Sequence, residues 1–514
     1  MYSREITIDE KENQQSRASI NRWLFILLLA AIAVIPLLIG GAKSEVIGPK
    51  ITDIIALTSG KKSDFYTHYK AILLMCISAL AVVLMLIKIL FFDGSIRKTK
   101  VNVCIGIFVV GIILSTIFSP SASIALWGQY NRSDGAITYI CYLILFFVAL
   151  NIEYPKKAIE YMMAALYPFV LLNTVLITMY FYGHDALQYG AFKRMMILFL
   201  PEGFSINEGA TILGTLNQMN YMSGMFAIMT VMYLAWAIID SHKARSVINA
   251  VVASICIGIM FMSLSTSGFL TVVVISPILI WLTIKGNHTK QAIIALSVFL
   301  VLSVPLFHIL SSHNERVWTE SFGFIVKKNP YIEEVTAINL APFEAKVYAA
   351  NSKFELPILP QSGTAAASGR AYIWSKAIDM VMERPVFGYG LDTIMYYFPH
   401  YSLDARANMI SETTIVDKPH SLYVGILYGT GIVGFIGFIC LVGIIIFLSL
   451  KQVYKEYSSS HTILAVGVIA YFIQALFNDS LPGTSATLWA ISGIMVAFAL
   501  NIDSKKESTN GRNN

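Results

Sequence analysis

In the stretch KPHSLYVGILYGTGIVGFIGF (residues 418–438), a lone histidine, His420, stands between a proline and a long apolar run. An imidazole with a reference pKa of about 6.5 is largely neutral near pH 7 and can take a proton from a hydroxyl as a general base. The plainer reading is an interfacial ring that caps a helix. Upstream, Arg370 opens the stretch RAYIWSKAIDMVMERPVFGYG (370–390), with Trp374 one helical turn beyond it. A guanidinium binds a phosphate through two parallel, charge-assisted hydrogen bonds, although a loop arginine is often just a solvated charge. Two further stretches carry candidates. WGQYNRSDG (127–135) holds Tyr130 and Arg132, and GTLNQMNY (214–221) holds Asn217 and Asn220. Lys193 and Arg194 add two more cations that could meet a phosphate or simply face solvent. Trp127 and Tyr130 also fit an interfacial aromatic belt. Amides within an apolar segment are costly unless they face a polar cavity or glue one helix to another.

The elements that must position these groups are membrane helices. The chain has 514 residues, 56% hydrophobic and 13% charged, where a soluble chain carries about 25% charged residues. The expected fold class is therefore an all-α integral membrane protein. Its net charge of +6 calls for no nucleic-acid partner, because basic residues crowd the cytoplasmic ends of membrane spans. Cys76, Cys104, Cys141, Cys256 and Cys440 fall in or beside apolar segments without Cys-x-x-Cys spacing, which argues against a zinc site or a disulfide framework. The first apolar run, Trp23 to Gly41, is long enough to span and lacks a small-residue cleavage site, so no cleavable signal peptide is expected.

A crossing needs about 20 apolar residues. On that ruler about 12 transmembrane helices are expected, near 23–42, 69–92, 101–119, 136–152, 161–182, 211–240, 246–264, 268–284, 292–312, 420–450, 462–478 and 485–501. The tenth carries Gly429, Gly431 and Gly434 and should bend or break near Gly429–Gly431. With the N-terminus inside, the cytoplasmic segments hold eighteen Lys/Arg and the short outer loops eight. Both termini, residues 1–22 and 502–514, are then cytoplasmic tails. Helices 1–9 occupy 23–312 and helices 10–12 occupy 420–501. Between spans 9 and 10, residues 313–419 form one large extracytoplasmic loop, and loops of this length are usually functional or disordered. Part of it should be helical: Ser368 can cap a helix, Trp374, Ile378 and Val381 share a face, and Pro385 with Gly388 and Gly390 ends it.

These motifs resemble those of the O-antigen ligase and O-antigen polymerase superfamily, bacterial membrane glycosyltransferases that use undecaprenyl-diphosphate-linked glycans. His420-Ser421, nine residues, Gly431, two residues and Gly434 match the superfamily signature at the end of a large outer loop. Arg370, Trp374, Pro385, Gly388 and Gly390 match its loop-helix pattern. WGQYNRSDG and GTLNQMNY have counterparts before and within spans. One departure stands out: many members carry an arginine after the Ser-x-Ser between spans 7 and 8, whereas here Gly268 follows Ser267. The resemblance implies that this phosphate contact comes from another cation, with Arg132, Lys193 and Arg194 as candidates.

The resemblance implies transfer of a glycan from an undecaprenyl-diphosphate donor to an acceptor hydroxyl on the outer face of the cytoplasmic membrane, with inversion. His420 would activate the hydroxyl and Arg370 would meet the leaving diphosphate. Arg132, Lys193, Arg194, Asn217, Asn220, Trp374 and Tyr130 would bind the lipid diphosphate or glycan. No metal or other cofactor is expected, since the outer segments lack Asp-x-Asp pairs. Three acceptors stay open: a growing lipid-linked polysaccharide, a surface lipid or wall polymer, and a protein hydroxyl. A multispan polysaccharide or lipid transporter is the rival from another class. Against it, the spans hold almost no ionisable groups, whereas coupled pumps need intramembrane carboxylates. A non-catalytic scaffold gives no reason for the spacing of His420 and Arg370.

Overall fold

In a hydrocarbon slab every backbone N–H and C=O must be satisfied within the protein, which leaves helices as the way for these apolar runs to cross. The computed structural model describes residues 2–46, 60–198, 200, 211–216, 218–332, 369–400, 402, 408 and 414–510. Ser368 and Asn217 lie outside the described residues.

The first half contains α1 (Tyr2–Ala33), α2 (His68–Phe91), α3 (Lys100–Ile117), the short α4 (Ala122–Trp127), α5 (Ala136–Leu150), α6 (Ala158–Ala165), α7 (Tyr167–Phe181) and the short α8 (Gly190–Met196). Then come α9 (Met219–Ile239), α10 (Lys243–Met262), α11 (Thr266–Lys285), α12 (Thr289–His313) and the single-turn α13 (Arg316–Thr319). The remainder is α14 (Arg370–Glu383), the short α15 (Ile394–Tyr397), α16 (Leu422–Lys455), α17 (His461–Gln474) and α18 (Pro482–Asn510). Among the described residues ten helical segments are long and apolar enough to cross a membrane, α6 and α7 counting as one. Two shorter apolar helices, α5 and α17, join them. The chain is an all-α multispan membrane protein, and each of these segments overlaps one of the expected apolar runs.

Two details differ from the sequence reading. Residues Ala42–Val46 and Gly60–Asp64 pair as an antiparallel hairpin, β1 and β2, in register Ala42 with Asp64. The alternation there is too short and too charged to announce a strand. The fifth span is broken at Leu166, because Pro168 in the first turn of α7 cannot donate to the preceding turn.

Helices α9 and α18 form the buried centre of the bundle, while α2, α3 and α12 turn apolar side chains such as Leu80, Val103 and Val301 outward to the lipid. Helix α16 crosses α3 closely: a Cβ on Gly111 would stand 2.3 Å from Gly434 Cα. Small residues permit this approach, which drives helix association where the hydrophobic effect is absent.

The expected break in α16 is present, at Gly431 (φ 59°, ψ −166°). What fills the break is the segment that ends α14. Tyr389 N donates to Tyr428 O at 3.0 Å, Gly390 N to Gly429 O at 2.9 Å and Ile432 N to Pro385 O at 2.8 Å. The Pro-x-x-Gly-x-Gly run and the glycines of α16 are thus the two halves of one joint. A Cβ on Gly431 would lie 2.4 Å from Val386 O, and Gly431 sits in the left-handed region. Gly431→Ala is therefore expected to cost about 2–5 kcal/mol from backbone strain and overpacking. A drop in the thermal midpoint of the detergent-solubilised protein checks this; an unchanged midpoint would show that the joint can open freely.

Candidate functional site

At the N-terminal end of α16 the chain makes a strained turn that carries His420. Its φ is +56°, a region that costs non-glycine residues about 1–3 kcal/mol and persists only where the surroundings over-determine it. Those surroundings are on both sides. Trp374 Nε1 donates to Pro419 O at 2.7 Å. On the far side, Ser421 N donates to Asp479 Oδ1 at 3.3 Å, and Leu422 N donates to Ala475 O at 2.9 Å and Asn478 O at 3.0 Å. The loop helix and the α17–α18 connection thus grip one turn. The imidazole itself has no hydrogen-bond partner among the described residues and is partly accessible. Burial, and then the positive charge of Lys418, hold its pKa well below the usual imidazole value, so the ring is neutral and keeps a lone pair open to accept a proton.

Arg370 lies one helical turn before Trp374 on α14, so both project from the face that meets His420. Its charge acts on His420, on Asp479 and on Glu320. Yet its guanidinium makes no hydrogen bond or ion pair with any described residue, which leaves its five donors open. Lys418 is the second cation here and was missed in the sequence. It is 2% exposed, with Nζ 2.6 Å from Gln218 Oε1 and 3.4 Å from Asp417 Oδ2, and it sits over the Tyr221 ring. Burial lowers the Lys418 pKa, with Asp417 opposing. Asp479, also missed, is buried. Its Oδ2 has no partner among the described residues, and burial raises its pKa. The adjacency of Asp417, Lys418 and His420 was the signal available for the lysine. Asp479 offered only its place in a short loop between spans.

Arg132 is 3% exposed and fully engaged: Nε pairs with Asp392 Oδ1 at 2.7 Å, and the two terminal nitrogens reach Tyr221 Oη at 3.3 Å and the Ser480 carbonyl at 3.4 Å. Asp392 also accepts from Gln129 N at 2.7 Å. This pair ties the 128–135 loop to the segment after α14 and to the α17–α18 connection. Ser133 and Asp392, like His420, have positive φ (50° and 59°). Strained residues therefore concentrate on this network, as they do at functional sites generally.

The other candidates separate. Tyr130 is half-buried, and the carboxylates Asp64 and Asp417 act on its hydroxyl, which places it near the His420 turn. Asn220 accepts from Ser265 Oγ at 2.8 Å, and its backbone carbonyl accepts from Asn478 Nδ2 at 3.0 Å, so it joins α9 to α11 and α17. Lys193 and Arg194 are exposed on α8, and Arg194 Nε donates to Gly190 O at 3.3 Å. Neither is among the charges that act on His420. Where the superfamily arginine is missing, Ser267 Oγ accepts from Gln474 Nε2 at 3.0 Å, and a Cβ on Gly268 would stand 2.2 Å from Ser223 Oγ. The position is packed closed against α9, leaving no room for a long side chain. Among the described residues, His, Cys, Asp and Glu nowhere gather in threes as metal ligands.

Residues 250–439 match the model of a protein family described as O-antigen ligase. The chain carries an O-antigen ligase family domain. No curated protein matches the chain. The match supports a function of the O-antigen ligase or polymerase type in general.

The matched ligase domain contains Arg370, Trp374, Lys418 and His420. The groups that hold it in place, Arg132, Tyr221, Gln218 and Asp479, come from outside the match. Trp374 donates to the backbone carbonyl before His420 and packs against the small core around Ile373 and Tyr428, so its expected effect is positional. Trp374→Phe removes one hydrogen bond, worth about 0.5–1.5 kcal/mol, and should lower kcat roughly three- to tenfold with KM for donor unchanged. In a His420→Ala background the same change should have no further effect. Full additivity of the two would show that Trp374 acts elsewhere.

Proposed function

We propose that this protein transfers a glycan from an undecaprenyl-diphosphate carrier to an acceptor hydroxyl, at the end of the bundle that carries residues 313–419. The observation that carries the reading is the meeting of His420 and Arg370. Far apart in sequence, they share one partly open site, and neither side chain has a hydrogen-bond partner among the described residues. One can accept a proton and the other can meet a diphosphate.

In this reaction the acceptor oxygen forms a bond to the anomeric carbon while His420 takes its proton. The bond from that carbon to the phosphate oxygen breaks, and the electron pair leaves on the diphosphate. Arg370 binds that developing charge bidentately, and Lys418, whose charge also acts on His420, adds positive potential. Attack from the face opposite the diphosphate inverts the anomeric centre, and these cations supply the charge that a metal would otherwise provide. Arg132, locked to Asp392, acts as a positioning residue, while Tyr130 and Asn220 line the approach to the site. In this reading the 313–419 segment is extracytoplasmic, both termini are cytoplasmic, and the enzyme sits in the cell membrane.

Deletion of the gene, followed by sizing of the glycans left on the lipid carrier, tests the proposal. Accumulated long chains would mark a ligase, and accumulated single repeat units a polymerase. A lipid pool indistinguishable from wild type would remove the transfer reading altogether.

A further inference from the structure

Outside the His420 turn, the structure contains a second cavity of about 450 Å³ on the flank of the 128–135 loop, within the usual size range for ligand sites. We propose that it binds a saccharide of the acceptor, neutral or amine-bearing; this rests on the transfer reading and names the acceptor class for the same site.

Three features carry the assignment. The first is aromatic: Trp127, Tyr130 and Tyr396 line the cavity from two separate segments. The C–H face of a pyranose ring packs against such π surfaces, whose faces are electron-rich. The second is unused polar capacity. Gln129 lines the cavity and is fully buried, and its Oε1 has no hydrogen-bond partner among the described residues. The side chains of Glu45 and His68, on its rim, make no hydrogen bond or ion pair with any described residue. Unpaired buried acceptors are costly, and a sugar hydroxyl satisfies them.

The third feature is charge. Among the described residues no lysine or arginine lines the cavity, whereas Glu45 does, and Asp64 and Asp417 act on the Tyr130 hydroxyl. That field repels a diphosphate and tolerates a neutral or cationic sugar. The cations, Arg370 and Lys418, stand instead at the His420 turn. Tyr130 bridges the two regions, since Asp417 lies three residues before His420. An acceptor chain seated here would extend past Tyr130 toward the His420 turn.

The test uses the full-length protein in detergent, titrated by calorimetry with oligosaccharides of two to four residues released by mild acid from the host's own surface polysaccharide. Wild type should bind without any donor present, because transfer is not involved in binding. Trp127→Ala and Tyr396→Ala should bind roughly tenfold more weakly or worse; Trp127 is 56% exposed, so its loss leaves the fold intact. Absence of binding by wild type, or unchanged binding by both aromatic variants, overturns the assignment. So does displacement by geranyl phosphate, which would make the cavity a lipid seat. Saccharide binding with no transfer activity in wild type would leave this site standing and remove the transfer reading instead.

Discussion

Replacing His420 with alanine is expected to lower the transfer rate by roughly 10²–10⁴-fold, the usual contribution of a positioned general base. The measurement is kcat in proteoliposomes that contain lipid-linked glycan and an acceptor fraction. The ring has no hydrogen bond to any described residue and is partly exposed, so expression and thermal midpoint should stay near wild type. The pH profile carries a sharper signature. A base must be unprotonated to act, and burial with Lys418 nearby holds the His420 pKa well below its usual value. The acid limb of kcat/KM should therefore lie well below the pH of about 6.5 at which an unperturbed histidine would place it. Lys418→Met removes a repelling charge and leaves Asp417 uncompensated. Both changes favour the imidazolium, so the acid limb should move up in pH. A limb that stays in place in Lys418→Met, or a fully active His420→Ala enzyme, would assign the base elsewhere.

Arg370→Ala should rank second, with a loss of roughly 10²–10³-fold, comparable to removing one donor that stabilises developing negative charge. Because that charge appears as the diphosphate departs, kcat and kcat/KM should fall together. Arg370→Lys should recover part of the loss, since it keeps the charge without the parallel pair of donors. A rise in KM alone would mean that Arg370 only anchors the donor in its ground state. Equal activity of the lysine and arginine enzymes would mean that two-point contact plays no part. Neither variant should unfold the protein, because the guanidinium has no partner among the described residues.

The contrast with Arg132 shows where the physics divides. In sequence, Arg132 and Arg370 are both arginines in polar stretches next to aromatics, and nothing local tells them apart. In the structure Arg132 is spent on Asp392, Tyr221 and Ser480, while Arg370 is left open. Partners remote in sequence make that difference, through pairings that no spacing rule encodes. Lys193 and Arg194 are exposed for a similar reason: α8 buries Met196 and turns the two cations outward.

Much of the molecule was legible in the chain itself. Apolar runs of span length dictate membrane helices, because unsatisfied backbone groups are not tolerated in lipid. Glycines at 429, 431 and 434 dictated the break in α16. Arg370, Trp374 and His420 were visible as chemistry-bearing types at telling spacings. Other features could be decided only by tertiary contact. The Gly388 and Gly431 motifs looked like separate signatures and are one backbone joint. Trp374 reads in sequence as a substrate contact, and only the fold shows that its indole N–H also holds the Pro419 carbonyl. Lys418 and Asp479 belong to the site because burial brings them to His420, and burial is a property of packed helices, not of any local run of residues. The residue types that do the chemistry are written locally; which of them are free to do it is set by what the rest of the fold has already paired.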